Sequence, residues 1–300
     1  MTTLPWPLEC SNPNRPALTW SQVWSNICLD FHGDPYKADW IVYSDGNHHM
    51  ALEKSLQAFV GSQAKHHDIF YVTLPPHILI EGIIQGGIRL GNLLLSRKPD
   101  IFIGPDIAMQ KLKQYFPDID PHPFKQSRGN VLLVPKSNVK NIQSLKDLLR
   151  QDIRIFISNP ITEKASYEVY RQSLIQIAEI EYGQGAQMQD ILDGTRRMIF
   201  GERVHHRELP QFLANGLADV ALVYYHLAKR YLKIFPEQFR MIYIGDEPEH
   251  PGNIITQYYF CKLPGHRPDT DVLIDHLKSK KVTDIYCDHG LQDYLGPNES

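Results

Sequence analysis

The sequence predicts an α/β protein of two lobes, and three features lead to this prediction. From Ala38 onward, short apolar runs of strand length alternate with amphipathic runs of helical length, which is the pattern of strand–helix–strand units. The alternation stops at the polar segment "FKQSRGN" and then begins again. The chain has 300 residues, enough for two modest domains. We expect each lobe to be a mixed, mainly parallel sheet flanked by helices.

The first half of the chain supplies most of lobe 1. Prolines 5, 7, 13 and 16 interrupt regular structure near the start, so we treat residues 1–37 as an extension packed on lobe 1. The hydrophobic periods after it predict three strands, "ADWIVYS", "HDIFYVTL" and "PDIFIGP". They also predict three helices, "HHMALEKSLQAFVGSQ", "PPHILIEGIIQGG" and "DIAMQKLKQYF". Proline suits the first turn of the second helix, where a backbone N–H has no partner within the helix.

The second half supplies lobe 2 and the return to lobe 1. We predict the strands "VLLVPK", "DIRIFISN", "RMIFGERV" and "ADVALVYY" with the helices "NIQSLKDLL", "TEKASYEVYRQSLIQIAEI" and "RELPQFLANG". Residues 181–194 are polar and rich in Gly and Gln, and we predict no element there. The strands "FRMIYIG" and "NIITQYYFCKL" and the C-terminal helices follow. We expect lobe 1 to comprise residues 38–126 and 226–300, and lobe 2 residues 127–225.

The composition limits the partners. The formal net charge is −3, and no basic patch favours nucleic acid or an anionic membrane. No run of about 18 apolar residues predicts a membrane span. The cysteines are scattered and form no CxxC pair, which excludes a zinc ribbon and favours free thiols; they are Cys10, Cys28, Cys261 and Cys287. We expect a monomer with no cofactor. As written, the chain lacks an export signal and is expected in the cytoplasm, or in the periplasm if a leader has been removed.

The ends of the predicted strands are where we expect a ligand. In open α/β sheets, ligands bind beyond the carboxyl ends of the strands, at the helix N-termini. These ends are polar throughout, and they carry Ser44, Asp45, Asn47, His48, His77, Ser158, Asn159, Ser166, His205, His206, Glu208, Tyr224 and Tyr225. Helix caps and turns use many of the same residue types. Of the three histidine doublets, 48–49 and 205–206 stand at strand-to-helix turns, whereas 66–67 precede a strand and are expected to be solvated.

The quoted segments resemble the type 2 periplasmic binding proteins, the solute-binding components of ABC importers. The resemblance runs from about Ala38 to Leu291 and implies two α/β lobes that close over a solute. "VYSDGNHHMALEKSLQAF" and "ANGLADVALVYYHLAKRY" are similar to the ferric-ion-binding branch, which implies that His48, Tyr224 and Tyr225 are metal ligands. "SNPITEKASYEVY" and "ALVYYHLA" are similar to the molybdate and tungstate binders. That similarity implies an oxyanion site lined by Ser44, His77, Ser158 and Tyr224 or Tyr225.

Chemistry separates the two branches. A hard cation favours phenolate, carboxylate and imidazole ligands, whereas an oxyanion needs N–H and O–H donors. Histidine serves either ligand, so it does not decide between them. Pro75-Pro76-His77 replaces the serine-rich turn typical of oxyanion binders, which favours a metal ion or a metal chelate. The predicted metal ligands are His48, His205, Glu208 and Tyr225, and the other strand-end residues named above are predicted to contact the solute.

Our leading hypothesis from sequence is a solute-binding protein that captures a small metal ion or chelate by hinge closure, for an ABC-type membrane partner. An oxyanion-binding protein is the first alternative. An enzyme on the same scaffold would use His205 or His206 with Glu208 or Asp45, but no GxSxG, HExxH, GxGxxG or GxxxxGK[ST] motif supports one. A cytoplasmic ligand sensor is the third alternative.

Overall fold

The computed structural model describes residues 30–62, 68–90, 93–194, 196–245 and 250–296. Within them the chain divides into two compact units. We call residues 30–126 and 257–296 the terminal unit, and Ser127–Thr256 the central unit, after their places in the sequence. The predicted extension, residues 1–37, lies outside the described residues up to position 29.

Strands and helices are numbered in chain order. The strands are β1 Phe31–His32, β2 Trp40–Ser44, β3 Ile69–Val72, β4 Ile88–Leu90, β5 Leu93–Leu95, β6 Ile101–Pro105, β7 His122–Gln126, β8 Asn130–Pro135, β9 Ile155–Ile157, β10 Met198–Phe200, β11 Val220–Tyr224, β12 Phe239–Tyr243, β13 Gln257–Lys262 and β14 Gln292–Asp293. The α-helices are α1 His49–Val60, α2 Pro76–Gln85, α3 Asp106–Lys113, α4 Lys164–Tyr182, α5 Gly185–Asp193, α6 His205–Ala214, α7 Tyr225–Ile234, α8 Thr270–Leu277 and α9 Lys280–Asp288.

The terminal unit contains a sheet of order β1-β3-β2-β6-β13-β7-β14 and the separate hairpin β4-β5. β2 is parallel to both β3 and β6, whereas β13 and β7 run against their neighbours. Alternate residues of β2 face two apolar layers. Trp40 and Val42 belong to one cluster with α1, α8 and α9, and Ile41 and Tyr43 belong to another with α2 and α3. A strand buried on both faces explains the continuous apolar run "WIVY".

The central unit contains a sheet of order β10-β9-β11-β8-β12. β9, β10 and β11 are parallel, and β8 and β12 are antiparallel to their neighbours. Both sheets are therefore mixed, as predicted, but the expectation that they are mainly parallel needs correction. Antiparallel pairs equal or outnumber parallel ones, because β8 and β13 enter the sheets from the opposite end.

The chain passes between the two units twice. One of these two crossings lies where the sequence predicted it, and the other does not. The first crossing, after Gln126, stands where it was expected. The second follows Thr256 instead of Tyr225, because α7 packs on β11 and β12 pairs with β8. At both crossings the chain is held by one reciprocal pair: Ser127 N–H donates to the Thr256 carbonyl at 2.8 Å, and Thr256 N–H donates to Ser127 Oγ at 2.8 Å.

Candidate functional site

The first strand end of the terminal unit is built around Asp45. Its carboxylate caps the 3-10 turn Gly46–His48 by accepting a hydrogen bond from the Asn47 N–H at 2.8 Å. Gly46 lets this turn lie against the end of β3, because a Cβ there would be 2.6 Å from the Thr73 carbonyl oxygen. The turns after two neighbouring parallel strands are thus in contact.

Asp45 is buried, and its charge is unfavourable there. Burial raises the pKa of its carboxyl to about 6, and hydrogen bonds from the backbone and side chain of Asn47 limit the rise. Asp45 and Asn47 lie at the end of β2, as predicted, but the Asp45 carboxylate already caps the local turn. An ionised Asp45 would also repel an anionic solute.

Ser44 and His48 point into the core. Both are fully buried. His48 Nδ1 lies 3.0 Å from Tyr286 Oη and Nε2 lies 3.4 Å from Ser44 Oγ, while the ring packs on Tyr258 with centroids 4.7 Å apart. An imidazole with a polar neighbour at each nitrogen offers no lone pair to a metal ion without losing one of these contacts. This geometry argues against His48 as a metal ligand and gives Ser44 an interior partner.

Two other histidines of the terminal unit lie nearer its surface. His49 Nδ1 is 2.9 Å from the Gly46 carbonyl oxygen, so this ring closes the same turn. His77 is exposed in the first turn of α2. The doublet at positions 66 and 67 lies outside the described residues.

In the central unit, Ser158, Asn159 and Ser166 form one neutral cluster between β9 and α4. Ser166 Oγ donates to the buried Ser158 Oγ at 3.0 Å. Asn159 Oδ1 accepts the Ile161 N–H at 2.9 Å, and its amide donates to the Gly201 carbonyl at 3.2 Å. The structure therefore brings these three predicted residues together, as hydroxyl and amide groups beside the N-terminus of α4.

The segment "HHRELP" begins α6 and is anchored by its first histidine. His205 is 1% exposed and stacks on Phe156 with centroids 4.9 Å apart. Burial lowers the pKa of its imidazole to about 3, and a hydrogen bond to the Phe156 backbone only partly offsets this. His205 Nε2 has no hydrogen-bond partner within the described residues. The imidazole is a neutral core group behind the strand end.

Carboxylates around α6 bind backbone N–H groups. Glu208 Oε2 accepts from the N–H groups of Glu202 at 2.9 Å and Arg203 at 3.3 Å. Glu163 Oε2 accepts the His205 N–H at 3.0 Å, and burial raises its pKa. Glu208 was predicted as a metal ligand, but its carboxylate closes the turn before α6. Acidic residues at a helix N-terminus commonly have this role.

The two tyrosines at the end of β11 have different surroundings. Tyr224 is buried, and its hydroxyl lies 3.4 Å from Thr256 Oγ1. Tyr225 is half-buried, and the Arg128 guanidinium carbon lies 5.0 Å from its ring centroid. His206 is half-buried, and its backbone carbonyl accepts a hydrogen bond from the Tyr231 hydroxyl. Tyr224 and Tyr225 were predicted to act together, but of these two tyrosines only Tyr225 is partly exposed.

Sequence reasoning missed two residues at this end of the central sheet. Arg128 lies in the segment "FKQSRGN", which the sequence analysis treated only as the break between the lobes. Asn130 is fully buried, and its amide donates to Ser173 Oγ at 2.9 Å and Asn253 Oδ1 at 3.0 Å. A single polar residue at the start of a strand has no periodic signal, so neither could have been selected by pattern.

The predicted metal ligands do not converge within the residues that the structure describes. In the part of the chain that the structure describes, no three His, Cys, Asp or Glu side chains are placed to hold a metal ion. The predicted ligands His48, His205 and Glu208 each have the local role given above.

An α/β chain of two units, with polar turns and helix starts at the strand ends of each, has the architecture of a solute-binding protein. The model of the bacterial extracellular solute-binding protein family matches residues 41–292. The chain belongs to this family. A comparison with curated protein sequences found no match.

Solved structures show the same fold. The sulfate-binding protein SubI from Mycobacterium tuberculosis H37Rv has a TM-score of 0.62 at 14% identity, covering 86% of this chain and 87% of that one. The periplasmic molybdate-binding protein of Azotobacter vinelandii has a TM-score of 0.58 at 14% identity, covering 86% and 100%. Iron-bound HitA from Pseudomonas aeruginosa has a TM-score of 0.58 at 13% identity, covering 87% and 88%. These values confirm the predicted fold.

The family is extracellular by description. Within the described ranges, no helix combines the length and the apolar character needed to cross a bilayer.

Proposed function

We propose that this chain is the solute-binding component of an ABC-type importer, that its solute is a small oxyanion, and that it has no enzymatic activity of its own. Family membership supports the binding role. The observation that carries the choice of solute is the cluster of Ser158, Asn159 and Ser166, which is neutral and rich in hydroxyl and amide groups. The choice reverses our preference from sequence for a metal ion.

Donor chemistry supports the reversal. An oxyanion leaves water only if N–H and O–H donors replace its hydration. The turn between β9 and α4 carries two hydroxyls and an amide beside a helix N-terminus, which also has a favourable partial charge for an anion. A bound anion would replace the bonds that these groups now make to one another and to the Gly201 carbonyl. A hard cation would need anionic or imidazole ligands, and three of the four predicted ligands have other roles: His48 and His205 lie in the core, and the Glu208 carboxylate binds backbone N–H groups.

A metal ion remains the second candidate, because one neighbour in fold is an iron-bound protein. Its strongest residue here is Tyr225, the more exposed of the adjacent tyrosines. The two candidate solutes differ in charge, so a binding experiment with both kinds of ion distinguishes them.

Isothermal titration calorimetry of the purified protein with sulfate, molybdate, phosphate and ferric citrate tests the proposal. We expect one anion to bind with 1:1 stoichiometry and ferric citrate to give no specific heat. Ser158→Ala with Ser166→Ala should weaken anion binding about tenfold or more, on the basis of about 1 kcal/mol for each hydrogen bond. Ser62→Ala is the control, because that hydroxyl donates to the Phe59 carbonyl in the terminal unit. Binding of ferric ion in place of every anion would refute the proposal.

A further inference from the structure

The terminal unit contains a cavity of about 90 Å³ beside the C-terminal end of α2. The cavity lies at the start of β6, which is the opposite end of that strand from the polar turns described above. Pro99, just before β6, lines it, and so does Leu263, which follows β13. The last residue of β13, Lys262, pairs with Ile101 at the start of β6. The cavity therefore lies apart from the carboxyl strand ends of its own sheet.

The wall of the cavity is mainly apolar. Ile83, Phe116, Leu263 and Pro264 are among the residues that line it. Ile83 and Phe116 are partly buried and pack on the margin of the apolar cluster that β2 shares with α2 and α3. Transfer of an apolar group from water into such surroundings is favourable.

Polar groups of the same wall bond to one another. The Tyr43 hydroxyl donates to the Arg97 carbonyl at 3.1 Å. The Gly87 N–H donates to the Gly82 carbonyl at 2.7 Å, so this carbonyl near the end of α2 also has its partner. Hydrophobic contact, rather than hydrogen bonding, is therefore what the wall offers to a ligand.

The solvent side of the cavity carries positive charge. Arg97 and Lys98 line the cavity, and both residues are exposed. Among the described residues that line it there is no Asp or Glu. Exposed side chains change rotamer freely, so both cations can approach an anionic group at the cavity without being held in one orientation. The cavity thus suits a ligand with an apolar end and a negative charge.

We propose that this cavity is a second binding site, which takes a small organic carboxylate with a branched apolar end. An apolar cavity of about 150 Å³ can hold benzene, so a cavity of about 90 Å³ suits a smaller group such as isobutyl. The carboxylate stays in solvent beside Arg97 and Lys98. The inference does not depend on the proposed function, because it uses none of Ser158, Asn159 and Ser166.

NMR spectroscopy of the Ile83 and Leu263 methyl groups tests this site with three ligands of similar shape, namely isovalerate, isovaleramide and isoamylamine. We expect isovalerate to shift both signals. Isovaleramide should bind about threefold to tenfold more weakly, because each exposed cation contributes modestly, and isoamylamine should bind most weakly. Arg97→Gln combined with Lys98→Gln should remove the preference for isovalerate. Equal binding of isovalerate and isovaleramide by the wild type would overturn the assignment to an anion.

Gly86→Asn tests the location. Gly86 lines the cavity with a φ of +80°, which asparagine tolerates better than most residues, and an added Cβ would have no atom within 4 Å. A side chain there takes up part of the space, so isovalerate should bind about tenfold more weakly or less than that, because apolar contact is lost. Gly183→Asn is the matched control, since Gly183 ends α4 with a φ of +63° and equally free space.

Three results would overturn the proposal. The first is that isovalerate leaves the Ile83 and Leu263 signals of the wild type unmoved. The second is that it binds Gly86→Asn as tightly as Gly183→Asn. The third is that binding of isovalerate is lost in Ser158→Ala with Ser166→Ala, which would place this ligand in the solute site. None of these results bears on the binding of sulfate, molybdate or phosphate, so the proposed function is tested separately.

Discussion

At the scale of single residues, Asp45 combines a buried carboxylate with a raised pKa of about 6. The folded chain holds this proton more tightly than the unfolded chain, whose carboxyl titrates near 4. Stability therefore falls as the pH rises from about 4 to 6, and above 6 the ionised group costs about 3 kcal/mol. Asp45→Asn keeps an acceptor for the Asn47 N–H and removes the charge. Relative to the wild type, we expect Asp45→Asn to be more stable by up to this amount at pH 7.5 and by only about 1 kcal/mol at pH 4.5.

Urea unfolding followed by circular dichroism at the two pH values measures this difference. A free-energy difference between Asp45→Asn and wild type that does not change with pH would show that the carboxyl titrates normally in the folded protein.

His205 has the opposite dependence on pH. Its pKa in the folded chain is about 3, whereas an unfolded histidine titrates near 6.5. The unfolded state takes up a proton first as the pH falls, so stability is lost below 6.5, by about 2 kcal/mol at pH 5. In His205→Asn this loss is absent, although the lost packing on Phe156 lowers stability at every pH. The difference in free energy of unfolding between wild type and His205→Asn should therefore become smaller from pH 7.5 to pH 5, as measured by urea unfolding. A difference that stays constant with pH would contradict the account.

These residues also show how far the sequence could go at this scale. The strand-end rule selected Ser158, Asn159 and Ser166, which lie together in the structure, because strand ends and helix starts can be read from hydrophobic period. Their contact with a solute stays a prediction. The rule could not tell that His48 turns into the core towards Tyr286, 238 positions away in the sequence. Side-chain direction at the end of a strand depends on such distant partners, and no local pattern records them.

At the scale of elements, the turn between β2 and α1 depends on Gly46. A Cβ at this position would meet the Thr73 carbonyl at 2.6 Å, and backbone cannot move aside as a flexible side chain can. Gly46→Ala should destabilise the protein by about 1–3 kcal/mol. Gly61→Ala at the other end of α1 is the control, since Gly61 has a φ of −68° and its Cβ would contact only the Gln57 carbonyl, at 3.3 Å. Equal unfolding free energies for the two variants would contradict the close approach of the two turns.

Most elements could be predicted because their apolar period is long enough to detect. The short strands β1, β4, β5 and β14 and the helix α7 were not predicted. Three other exceptions have specific causes. β7 was missed because "HPFKQ" contains proline and lysine, although Lys125 is buried and its ammonium contacts Asp293 of β14. α5 was missed because Gly and Gln obscured the spacing of Met188 and Leu192, its buried apolar residues. "NIQSLKDLL" was predicted as an α-helix, but only Leu145–Leu149 is helical, as a 3-10 turn.

At the scale of the whole molecule, the two units were expected from the restart of the alternation, and the second crossing was expected about 30 residues early. The strand "FRMIYIG" looks the same whichever sheet it joins, so only the pairing of β12 with β8 shows its place. An anion that binds the folded chain alone should stabilise it by about 2.7 kcal/mol at 100 times its dissociation constant. Thermal unfolding with sulfate or molybdate, against sodium chloride of equal ionic strength, should show this as a higher midpoint; equal midpoints would exclude these two solutes.

Native mass spectrometry of the purified protein tests the central claim most directly. The protein is mixed with equimolar sulfate, molybdate, phosphate and ferric citrate and then exchanged into a volatile buffer. The account predicts one added mass that corresponds to a single oxyanion, and its loss in the double variant Ser158→Ala with Ser166→Ala but not in Ser62→Ala. An added mass of iron, with no oxyanion bound to the wild type, would contradict it.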